Sequence, residues 1–507
     1  MNPLIYGKNP LDRVVAIEPR DGAATLFREM PNGEIESVDV PNSYYILFAG
    51  QLSSKFKVLE GNQHYKYLYE TETREKWAEV LSASYKKGYD FHTIRDPKEA
   101  LMVKDGYTYY KGMKVQDVSV LSVDIETNGL NLNADSKVLL ISNTFRKAGK
   151  LERKLFCEDQ FKSQKEMISA WASWVRQMNP SVFLGHNIFG FDLPFIAHCG
   201  GVESMKLGRD GSVIKFADRG SLFRKDGSQA YDYTNALIYG REVIDTMFLA
   251  MKYDIGRNYE SYKLKDIIAH EGIERSGRQF YDASKIRENW ADPVEREKIK
   301  TYAIDDADDA LKLFDLMIPS FFYYTMSVPR SLQSIINTAT GSQINSLMVR
   351  AYLQQGHSIA QGSPSVEYPG AISFGVPGIH KNVLRFDVAS LYPSIIRQYQ
   401  IYSPDKDPEK LFLEMVEFFT LERLNNKRLG KETGDRYYKD MEQSQKIAIN
   451  SMYGFLGAPK LNYNCPAGAD AVTRHGRRIL TEAIKFLSGK DYESNIESKT
   501  NDEDDEL

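Results

Sequence analysis

Two carboxylates stand one residue apart in the segment VDIETNG, as Asp124 and Glu126. In a β-strand, residues two apart point to the same face, so the segment predicts two acidic side chains side by side. Such a pair repels itself unless a cation lies between the carboxylates, and a divalent ion such as Mg²⁺ takes oxygen ligands of this kind. For this pair alone, the alternative is a solvated strand face, where Asp and Glu are common.

Two later segments add polar side chains suited to the same chemistry. GHNIFGFDLPFI places Asn187 and Asp192 directly after an apolar run typical of a buried strand. YAIDDADDA places Tyr302 and Asp306 one helical turn apart, and therefore on one face of a predicted helix. A solvated acidic helix face accounts for the other acids of that run, Asp305, Asp308 and Asp309.

In this order and separation, the three segments resemble the three motifs of a DnaQ-like 3′→5′ exonuclease, over most of residues 118–310. The resemblance implies two metal ions that lower the pKa of a water molecule and stabilise the charge developing on the phosphate. The expected cofactor is Mg²⁺, with Mn²⁺ as a substitute. Its implied ligands are Asp124, Glu126, Asp192 and Asp306. Tyr302 would orient the attacking water, and Asn187 would support the substrate strand.

A further segment combines a carboxylate with a turn. RFDVASLYPSII places Asp387 at the end of a predicted strand, and Ser390, Leu391 and Tyr392 follow at once. An Asp at that position can hold a metal through one oxygen, while the backbone after it turns and presents amide groups. A buried strand Asp that caps the turn is the alternative for this segment alone. Two-metal chemistry needs at least two carboxylates, so Asp387 requires a companion.

Two predicted helices carry cations that can converge on one polyphosphate. LERLNNKRLGKET places Arg423 and Lys427 four residues apart, and KIAINSMYGFLG places Lys446, Asn450 and Tyr453 on one face. Arginine offers a planar fork and lysine a point charge, which suits bidentate and terminal phosphate contacts. An ordinary solvated helix face is the alternative, and it suits two further cations, Arg428 and Lys431.

These segments resemble the palm and fingers of family B DNA polymerases, and the resemblance runs over about residues 115–489. It implies that Asp387 binds a catalytic metal and that Tyr392 lies under the sugar and excludes a 2′-hydroxyl group. The implied contacts of the incoming triphosphate are Ser390, Leu391, Arg423, Lys427 and Lys446. Those of the nascent base pair are Asn450, Tyr453 and Gly454.

Two shorter elements gain weight from their positions. EYPGA resembles the Tyr/Gly element of the family, with Tyr368 and Gly370 near the template strand. TRHGRR resembles its Thr-x-x-Gly-Arg element, with Thr473 and Arg477 touching the template-primer backbone. Template-primer DNA and deoxynucleoside triphosphates are therefore the expected partners.

The second palm carboxylate of the family lies in a Y-x-D-T-D-S hairpin, and no such string occurs in this sequence. The DED at residues 502–504 has polar flanks and no strand to hold it beside Asp387. We therefore interpret the chain as the N-terminal part of a split family B DNA polymerase. A second polypeptide would carry the DTDS motif and the thumb, and a sliding clamp is a further candidate partner.

The elements around these residues predict an α/β multidomain fold. It has a β-rich N-terminal domain, an RNase H-like 3′→5′ exonuclease domain, and a partial palm with helical-hairpin fingers. AISFG and NVLRFDVASL are predicted as palm strands. The predicted domains are 1–117 (completed by 320–350), 118–319 (exonuclease), 350–405 and 459–489 (palm), 406–458 (fingers) and 490–507 (acidic disordered tail).

Composition sets wide limits. The 507 residues are 42% hydrophobic and 26% charged, and the net charge of −4 gives no global nucleic-acid signal. No run reaches the apolar length of a membrane span, and the N-terminus lacks a secretory pattern. Three unpaired cysteines, Cys157, Cys199 and Cys465, indicate free thiols in a reducing compartment. We expect a bacterial or host cytoplasm, at replicating DNA, and a viral or prokaryotic replicase.

Three other interpretations remain open. The first is a stand-alone 3′→5′ exonuclease with a vestigial palm, which the complete set Arg423, Lys427, Lys446 and Asn450 argues against. The second is a non-catalytic DNA-binding subunit, which the four exonuclease carboxylates argue against. The third is a shortened piece of a full-length enzyme, which the sequence does not separate from a natural split.

Overall fold

The computed structural model describes residues 2–225, 229–373, 377–388 and 390–489 of the chain. Strands form the first part, a mixed α/β region follows, and helices form the last part. The predicted acidic tail at 490–507 lies outside the described residues. Within the described ranges, no helix is both long enough and apolar enough to cross a bilayer.

Two antiparallel sheets make up most of the N-terminal region. Its strands are β1 (Val14–Arg20), β2 (Ala23–Glu29), β3 (Ile35–Pro41), β4 (Tyr44–Phe48), β5 (Lys57–Val58), β6 (Tyr67–Thr71) and β7 (Phe91–His92). Its helices are α1 (Pro3–Tyr6), α2 (Arg74–Lys87) and α3 (Pro97–Asp105). The sheet orders are β1-β2-β3 and β5-β6-β4-β7, so the predicted β-rich region is confirmed.

The central region contains a five-stranded sheet with helices packed against it, and two small two-stranded sheets. Its strands are β8 (Val120–Thr127), β9 (Val138–Lys147), β10 (Lys150–Cys157), β11 (Val182–Gly185), β12 (Lys215–Phe216), β13 (Ser221–Arg224), β14 (Ala230–Tyr233), β15 (Ala236–Leu237) and β16 (Glu242–Asp245). Its helices are α4 (Gln164–Met178), α5 (Asp192–Gly200), α6 (Thr246–Tyr253), α7 (Leu264–Glu271), α8 (Ile286–Asn289) and α9 (Pro293–Thr325). The sheet order is β10-β9-β8-β11-β16, and β8, β11 and β16 run parallel to one another.

Hydrophobic patterning explains this core. The apolar runs of β8 and β11 are buried on both faces, as expected for parallel strands covered by helices. The helical pattern of α4 turns Trp171 toward the sheet, where the indole is fully buried and donates to Asn143 Oδ1 at 2.9 Å. The predicted hairpin or surface loop between residues 205 and 240 forms two small antiparallel pairs, β12 with β15 and β13 with β14.

Helix α9 is 33 residues long and begins at a capped end, where Asp292 accepts from the amide of Val294 at 2.7 Å. Its first half packs on β8 and β9, and its second half reaches the last helical region. There the rings of Tyr323 and Tyr437 meet edge to face, with centroids 5.3 Å apart. One helix therefore joins the central sheet to the helices that follow.

Helices form the rest of the described chain. They are α10 (Leu332–Asn337), α11 (Thr340–Leu353), α12 (Leu391–Gln398), α13 (Leu411–Thr433), α14 (Arg436–Gly457) and α15 (Pro466–Ser488). The predicted antiparallel hairpin of α13 and α14 is present. Its turn uses Gly434, whose φ of 68° suits glycine, and Asp435 caps α14 by accepting from the amide of Tyr437.

The prediction of a palm strand at residues 382–391 is wrong. Its described residues form no strand, and α12 begins at Leu391. The apolar side chains of the segment stand in solvent: Val383 is 72% exposed, Leu384 80% and Phe386 67%. A strand needs a neighbour to pair its backbone groups, and no described strand lies beside this segment. The described part of AISFG also forms no strand.

Candidate functional site

Three carboxylates meet at the edge of the central sheet. The side chains of Asp124, Glu126 and Asp306 each bring one oxygen atom into a group whose members lie within 4.8 Å of one another. Asp124 is half-buried, while Glu126 and Asp306 are buried. Asp306, which follows Glu126 by 180 positions in sequence, therefore joins the two acids of β8 in one oxygen-rich site.

Strand geometry and helix packing account for the meeting. Asp124 and Glu126 lie two residues apart on β8 and so share a face. Helix α9 crosses that face, and the Ser142 hydroxyl of β9 donates to the carbonyl of Ala303 at 2.8 Å. That hydrogen bond fixes α9 one turn before Asp306 and holds the third carboxylate over the pair.

Burial and mutual repulsion raise the pKa values of these acids. Burial raises the pKa of Glu126 to about 8, with a further contribution from the charge of Asp306. Burial, followed by the charges of Asp306 and Glu126, raises the pKa of Asp124 well above its usual value. Burial also raises the pKa of Asp306, against the opposing effect of Lys265. Burial and mutual repulsion therefore favour the protonated forms of these acids.

Asp192 lies beside this group, as the first residue of α5. Burial raises the pKa of its carboxyl group to about 7, while a hydrogen bond from its own backbone and one from the Ile125 backbone oppose that rise. Because Ile125 stands between Asp124 and Glu126, Asp192 borders the same sheet edge. Its charge in turn raises the pKa of both acids.

Asn187 follows β11 in a left-handed conformation, with φ of 62°. The buried carboxylate of Asp245, at the end of β16, accepts from the Asn187 amide at 2.9 Å and from the Phe189 amide at 3.4 Å. The carboxyl ends of the parallel strands β11 and β16 meet at one edge, which is why Asp245 reaches this turn. Asp245 was not predicted from the sequence. It ends the strand segment EVID, much as acidic residues end the strand segment VDIE.

Tyr302 is buried one turn before Asp306, and its hydroxyl interacts with that carboxylate. Lys265 of α7 donates to the same hydroxyl, and its amine lies 4.3 Å from the centre of the Tyr302 ring. Burial and the charge of Asp306 raise the pKa of Tyr302, so the phenol stays protonated. The sequence carries no signal for Lys265, because 37 residues separate it from Tyr302.

The expectation of a solvated acidic face for Asp305, Asp308 and Asp309 is wrong. All three are buried, at 3%, 5% and 0% exposure. Each has a cationic partner: Arg275 for Asp305, Arg153 for Asp308, and both Arg278 and Lys312 for Asp309. Buried charges persist when they are paired and hydrogen-bonded, so these acids serve to hold α9 in place.

Arg278 joins this set to the site itself. Its Nε atom lies 2.5 Å from Asp309 Oδ2, and its Nη2 atom pairs with Asp306. The guanidinium is buried, so Asp306 already has one cationic neighbour before any metal binds. No spacing or motif marks Arg278, because it lies 28 positions from Asp306.

The oxygen group of Asp124, Glu126 and Asp306 fits a divalent cation of the hard, oxygen-preferring class. Mg²⁺ and Mn²⁺ take carboxylate ligands of this type, and three acids at mutual distances within 4.8 Å can share one ion. Asp192 lies near these three acids but outside their group. The donor set thus agrees with the cofactor implied by the sequence.

The second predicted centre is incomplete within the described residues. Asp387 lies in the exposed segment before α12, and no group of three potential metal ligands in the described ranges includes it. Ser390 follows in a left-handed conformation, with φ of 54°, and starts α12 together with Leu391 and Tyr392. The structure therefore brings no described carboxylate to Asp387.

The helical hairpin presents the predicted cations. Arg423 donates through Nε to Glu442 Oε1 at 2.8 Å and through Nη1 to Ser390 Oγ at 2.7 Å. Lys427 is exposed on α13, and Lys446 is half-buried on α14. Asn450 and Gly454 are exposed further along α14. The hairpin thus joins to the start of α12 through Arg423, and sequence reasoning missed its partner Glu442.

Aromatic contacts connect the remaining residues. The rings of Tyr392 and Tyr453 lie 4.4 Å apart, and the Tyr453 hydroxyl interacts with that of Tyr368. Helix α15 approaches α12 closely at Gly476, where an added Cβ would stand 3.4 Å from the Tyr392 ring. Three segments distant in sequence therefore form one tyrosine-lined surface.

The two short motifs are in contact with each other. Arg477 donates through Nη1 to the carbonyls of Pro369 and Gly370, at 2.8 and 2.6 Å. Thr473 donates to the Pro369 carbonyl at 3.1 Å and is only 1% exposed. Helix α15 thus holds the Tyr368–Gly370 element in place, a pairing that the sequence did not indicate.

Comparison with known families gives two matches. Residues 96–267 match the profile described as DNA polymerase family B, exonuclease domain, and residues 411–506 match that described as DNA polymerase family B. The first range includes Asp124, Glu126 and Asp192, and the second includes Arg423 and the other hairpin cations. Asp306 and Asp387 lie outside both ranges.

Curated relatives and a solved structure agree. DNA polymerase 2 of Aeropyrum pernix is 24% identical over 76% of this chain and 50% of its own length. The DNA polymerase delta catalytic subunit of Oryza sativa is 24% identical over 66% of this chain and 35% of its own length. The family B DNA polymerase of Pyrobaculum calidifontis superposes with a TM-score of 0.72 and 17% identity, over 94% of this chain and 71% of its own, which shows the fold. This chain spans about half the length of the first of these relatives.

Proposed function

Because the chain belongs to the family B DNA polymerases, we propose that it removes nucleotides from the 3′ end of DNA and carries the nucleotide-binding part of a polymerase site. The observation that carries the first activity is the oxygen group of Asp124, Glu126 and Asp306. A proofreading role follows when both activities act on one primer strand.

Four acids would hold the metal ions of the exonuclease site: Asp124, Glu126, Asp192 and Asp306. Bound Mg²⁺ or Mn²⁺ would supply the positive charge that activates water and stabilises the phosphate. The Tyr302 hydroxyl, held between Lys265 and Asp306, would orient that water. Asn187, fixed by Asp245, would support the substrate strand beside the metals.

The proposed polymerase half binds a deoxynucleoside triphosphate against the helical hairpin. Asp387 would hold a catalytic metal, and the cations Arg423, Lys427 and Lys446 would contact the polyphosphate together with Ser390 and Leu391. Tyr392, Asn450, Tyr453 and Gly454 would surround the sugar and the nascent base pair. The contact of Arg423 with Ser390 supports this set, since it brings the hairpin to the start of α12.

Template-primer DNA would lie along the surface formed by Tyr368, Gly370 and Arg477, with Thr473 buried behind it. Gly370 is exposed and Tyr368 and Arg477 are half-buried, so these three residues can contact the DNA backbone. Thr473 would act through the Tyr368–Gly370 element that it holds. We place this activity at replicating DNA in the cytoplasm.

Synthesis would need palm carboxylates beyond those described, and we propose that a second polypeptide supplies them with the thumb. Two observations support a covering partner, one beside Asp387 and one at the end of α15. The segment before it exposes Val383, Leu384 and Phe386, and the last turns of α15 expose Phe486 (88%) and Leu487 (52%). Apolar surface of this kind marks interaction sites.

The first experiment is a primer-template assay with this chain, Mg²⁺ and all four deoxynucleotides. Shortening of the primer without extension is the expected result, because the exonuclease acids are together while Asp387 has no described companion. Extension by this chain alone would overturn the proposal that a second polypeptide is required. If the primer is neither shortened nor extended, the exonuclease assignment is overturned.

The exonuclease site is tested by replacing both acids of β8, Asp124→Ala with Glu126→Ala. We expect digestion of single-stranded DNA to fall below detection, because two of the proposed metal ligands are lost. The protein should stay folded, because the change removes two acids whose charges repel each other. Glu432→Gln, at an exposed position of the hairpin, is the matched control and should digest normally. Unchanged digestion by the double variant would contradict the assignment of this site.

The polymerase half is tested in the reconstituted pair. Asp387→Ala should abolish synthesis and leave digestion intact, because Asp387 lies outside the exonuclease acids. Synthesis that survives this change would remove Asp387 from the metal site. A reconstituted pair that digests but never extends would favour the alternative of an exonuclease with a vestigial palm.

A further inference from the structure

Glu442 occupies the centre of the proposed triphosphate site. Its Oε1 atom accepts from Arg423 Nε at 2.8 Å, and its Oε2 atom accepts from the side chain of Gln443 at 2.8 Å. The side chains of Arg423 and Glu442 are 19% and 10% exposed, so the pair is largely removed from water. Both carboxylate oxygens are therefore held in place.

The guanidinium of Arg423 is fixed on a second side as well. Its Nη1 atom donates to Ser390 Oγ at 2.7 Å, at the start of α12. Within the described part of the chain, the Nη2 atom of Arg423 forms no hydrogen bond. A planar guanidinium held by Nε and Nη1 therefore presents its remaining edge in one fixed direction.

The two lysines of the site flank this pair along the hairpin. Lys427 lies one turn beyond Arg423 toward the hairpin tip, and Lys446 lies one turn beyond Glu442 toward the base. Four residues of α-helix advance about 6 Å. Glu442 is thus a single negative charge set among three cations.

We propose that Glu442 is a positioning and specificity-determining residue for deoxynucleoside triphosphate binding, a role that rests on the proposed function of the hairpin. It acts in two opposite ways. Its hydrogen bond orients Arg423 toward the polyphosphate, which favours binding. Its charge cancels one of the three cations, which weakens the site for any polyanion and limits binding of ligands that lack further contacts.

The two effects separate in two substitutions. Glu442→Gln keeps an oxygen acceptor for Arg423 Nε and removes the charge, so dTTP binding should tighten roughly threefold. Glu442→Leu removes both the charge and the acceptor, so Arg423 loses its orientation and dTTP binding should weaken roughly tenfold against the parent. A purely structural role would move both variants in one direction.

The measurement is isothermal titration of the full chain with dTTP and Mg²⁺, with thermal unfolding as the check that each variant is folded. The proposal is supported if Glu442→Gln binds dTTP more tightly than the parent and Glu442→Leu binds it more weakly. A Gln variant no tighter than the parent overturns the charge effect, and a Leu variant as tight as the Gln variant overturns the orientation effect. Glu432→Gln, whose partner Arg428 is exposed, is the matched control and should bind as the parent does.

Arg423→Ala distinguishes this proposal from the function on which it rests. If dTTP binds equally well to Arg423→Ala, the nucleotide site itself is wrong. If Arg423→Ala weakens binding while both Glu442 variants bind as the parent does, only the role of Glu442 is wrong. In the double variant Arg423→Ala with Glu442→Leu, the further loss caused by Leu should vanish, because no guanidinium remains to be oriented.

Discussion

At the residue scale, the acids of the proposed exonuclease site coexist because two cations stand among them. Lys265 lowers the pKa of Asp124 and Glu126 through its charge, and Arg278 pairs with Asp306. These cations only partly offset burial, so Glu126 keeps a pKa of about 8. Metal binding must then displace protons from the site, because carboxylate ligands bind in the ionised form.

The raised pKa of Glu126 makes stability depend on pH. In the folded chain its pKa is about 8, against an ordinary value of 4.5, so the folded state binds this proton more tightly than the unfolded state. Its contribution to stability is therefore full below about pH 4.5 and is lost as the pH rises through about 8. Glu126→Gln should be more stable than the parent by roughly 2–4 kcal/mol at pH 8.5 in EDTA, and about equal to it at pH 4.5.

Urea unfolding at the two pH values, with EDTA present, measures this difference. Glu432→Gln, an exposed acid, is the control and should track the parent at both. A stability gain of Glu126→Gln that is the same at pH 4.5 and pH 8.5 would contradict the raised pKa. Added Mn²⁺ should stabilise the parent at pH 8.5 more than it stabilises Glu126→Gln, since the variant lacks one ligand.

The acids of this site were predictable from sequence, but their cationic neighbours were not. Spacing places Asp124 beside Glu126 on a strand and Tyr302 beside Asp306 on a helix, and the resemblance to the exonuclease motifs implies that the two pairs meet. Lys265 and Arg278 reach the site from a helix and a loop whose placement depends on the tertiary packing of α9. No local period marks such residues, because their partners lie at least 28 positions away.

At the scale of elements, α9 shows how burial changes the meaning of an acidic run. About two consecutive turns of α9 carry Tyr302 and Asp306 toward the site and Asp305, Asp308 and Asp309 toward arginines. From sequence alone, charged residues on a helix predict a solvated face. The arginines that reverse this expectation come from β10 and from the segment before α8, and the sequence gives no means of pairing them with α9.

Asp309 tests whether these pairs hold α9 in place. Asp309→Asn removes the charge that Arg278 and Lys312 share at a fully buried position, and should destabilise the chain by roughly 3 kcal/mol. The exposed pair of Arg428 and Glu432 is the control, because Glu432→Gln should cost less than roughly 1 kcal/mol. The midpoint of urea unfolding measures both variants. Equal, small losses would show that burial of these acids contributes little.

The palm strands are the elements that sequence reasoning predicted wrongly. The apolar residues of NVLRFDVASL have the composition of a strand, and composition was the basis of the prediction. A strand, however, is stabilised by pairing, and no described strand pairs with residues 382–388. Helices α13, α14 and α15 were predictable because a helix satisfies its own backbone groups.

At the scale of the whole molecule, one buried acid joins the N-terminal sheet to the central sheet. Glu29, the last residue of β2, is fully buried and accepts from the Ser119 amide at 2.9 Å and from the Ser181 hydroxyl at 2.5 Å. Ser119 precedes β8 and Ser181 precedes β11, the strands that lead to Asp124 and Asn187. The joint therefore supports the origin of both strands.

Glu29→Leu should open this joint, because it leaves the Ser119 amide and the Ser181 hydroxyl buried with no acceptor from β2. We expect a loss of stability of roughly 2–4 kcal/mol, and faster hydrogen exchange at Ser119 and its neighbours than in the parent. Glu36→Leu, an exposed position on the adjacent strand, is the matched control and should exchange at the parental rate. Unchanged exchange at Ser119 in Glu29→Leu would show that the joint does not depend on Glu29.

Helix α9 also constrains how this gene can change in length. Asp306 and Tyr323 lie on the same unbroken helix, one at the acidic site and the other against Tyr437 of the hairpin. Each inserted or deleted residue between them would rotate one end about 100° against the other and shift it about 1.5 Å. Such a phase error would turn either the acid or the ring away from its partner. Substitutions can therefore accumulate between these positions in related genes, whereas insertions and deletions should be absent, because even a whole added turn would displace one end by about 5.4 Å.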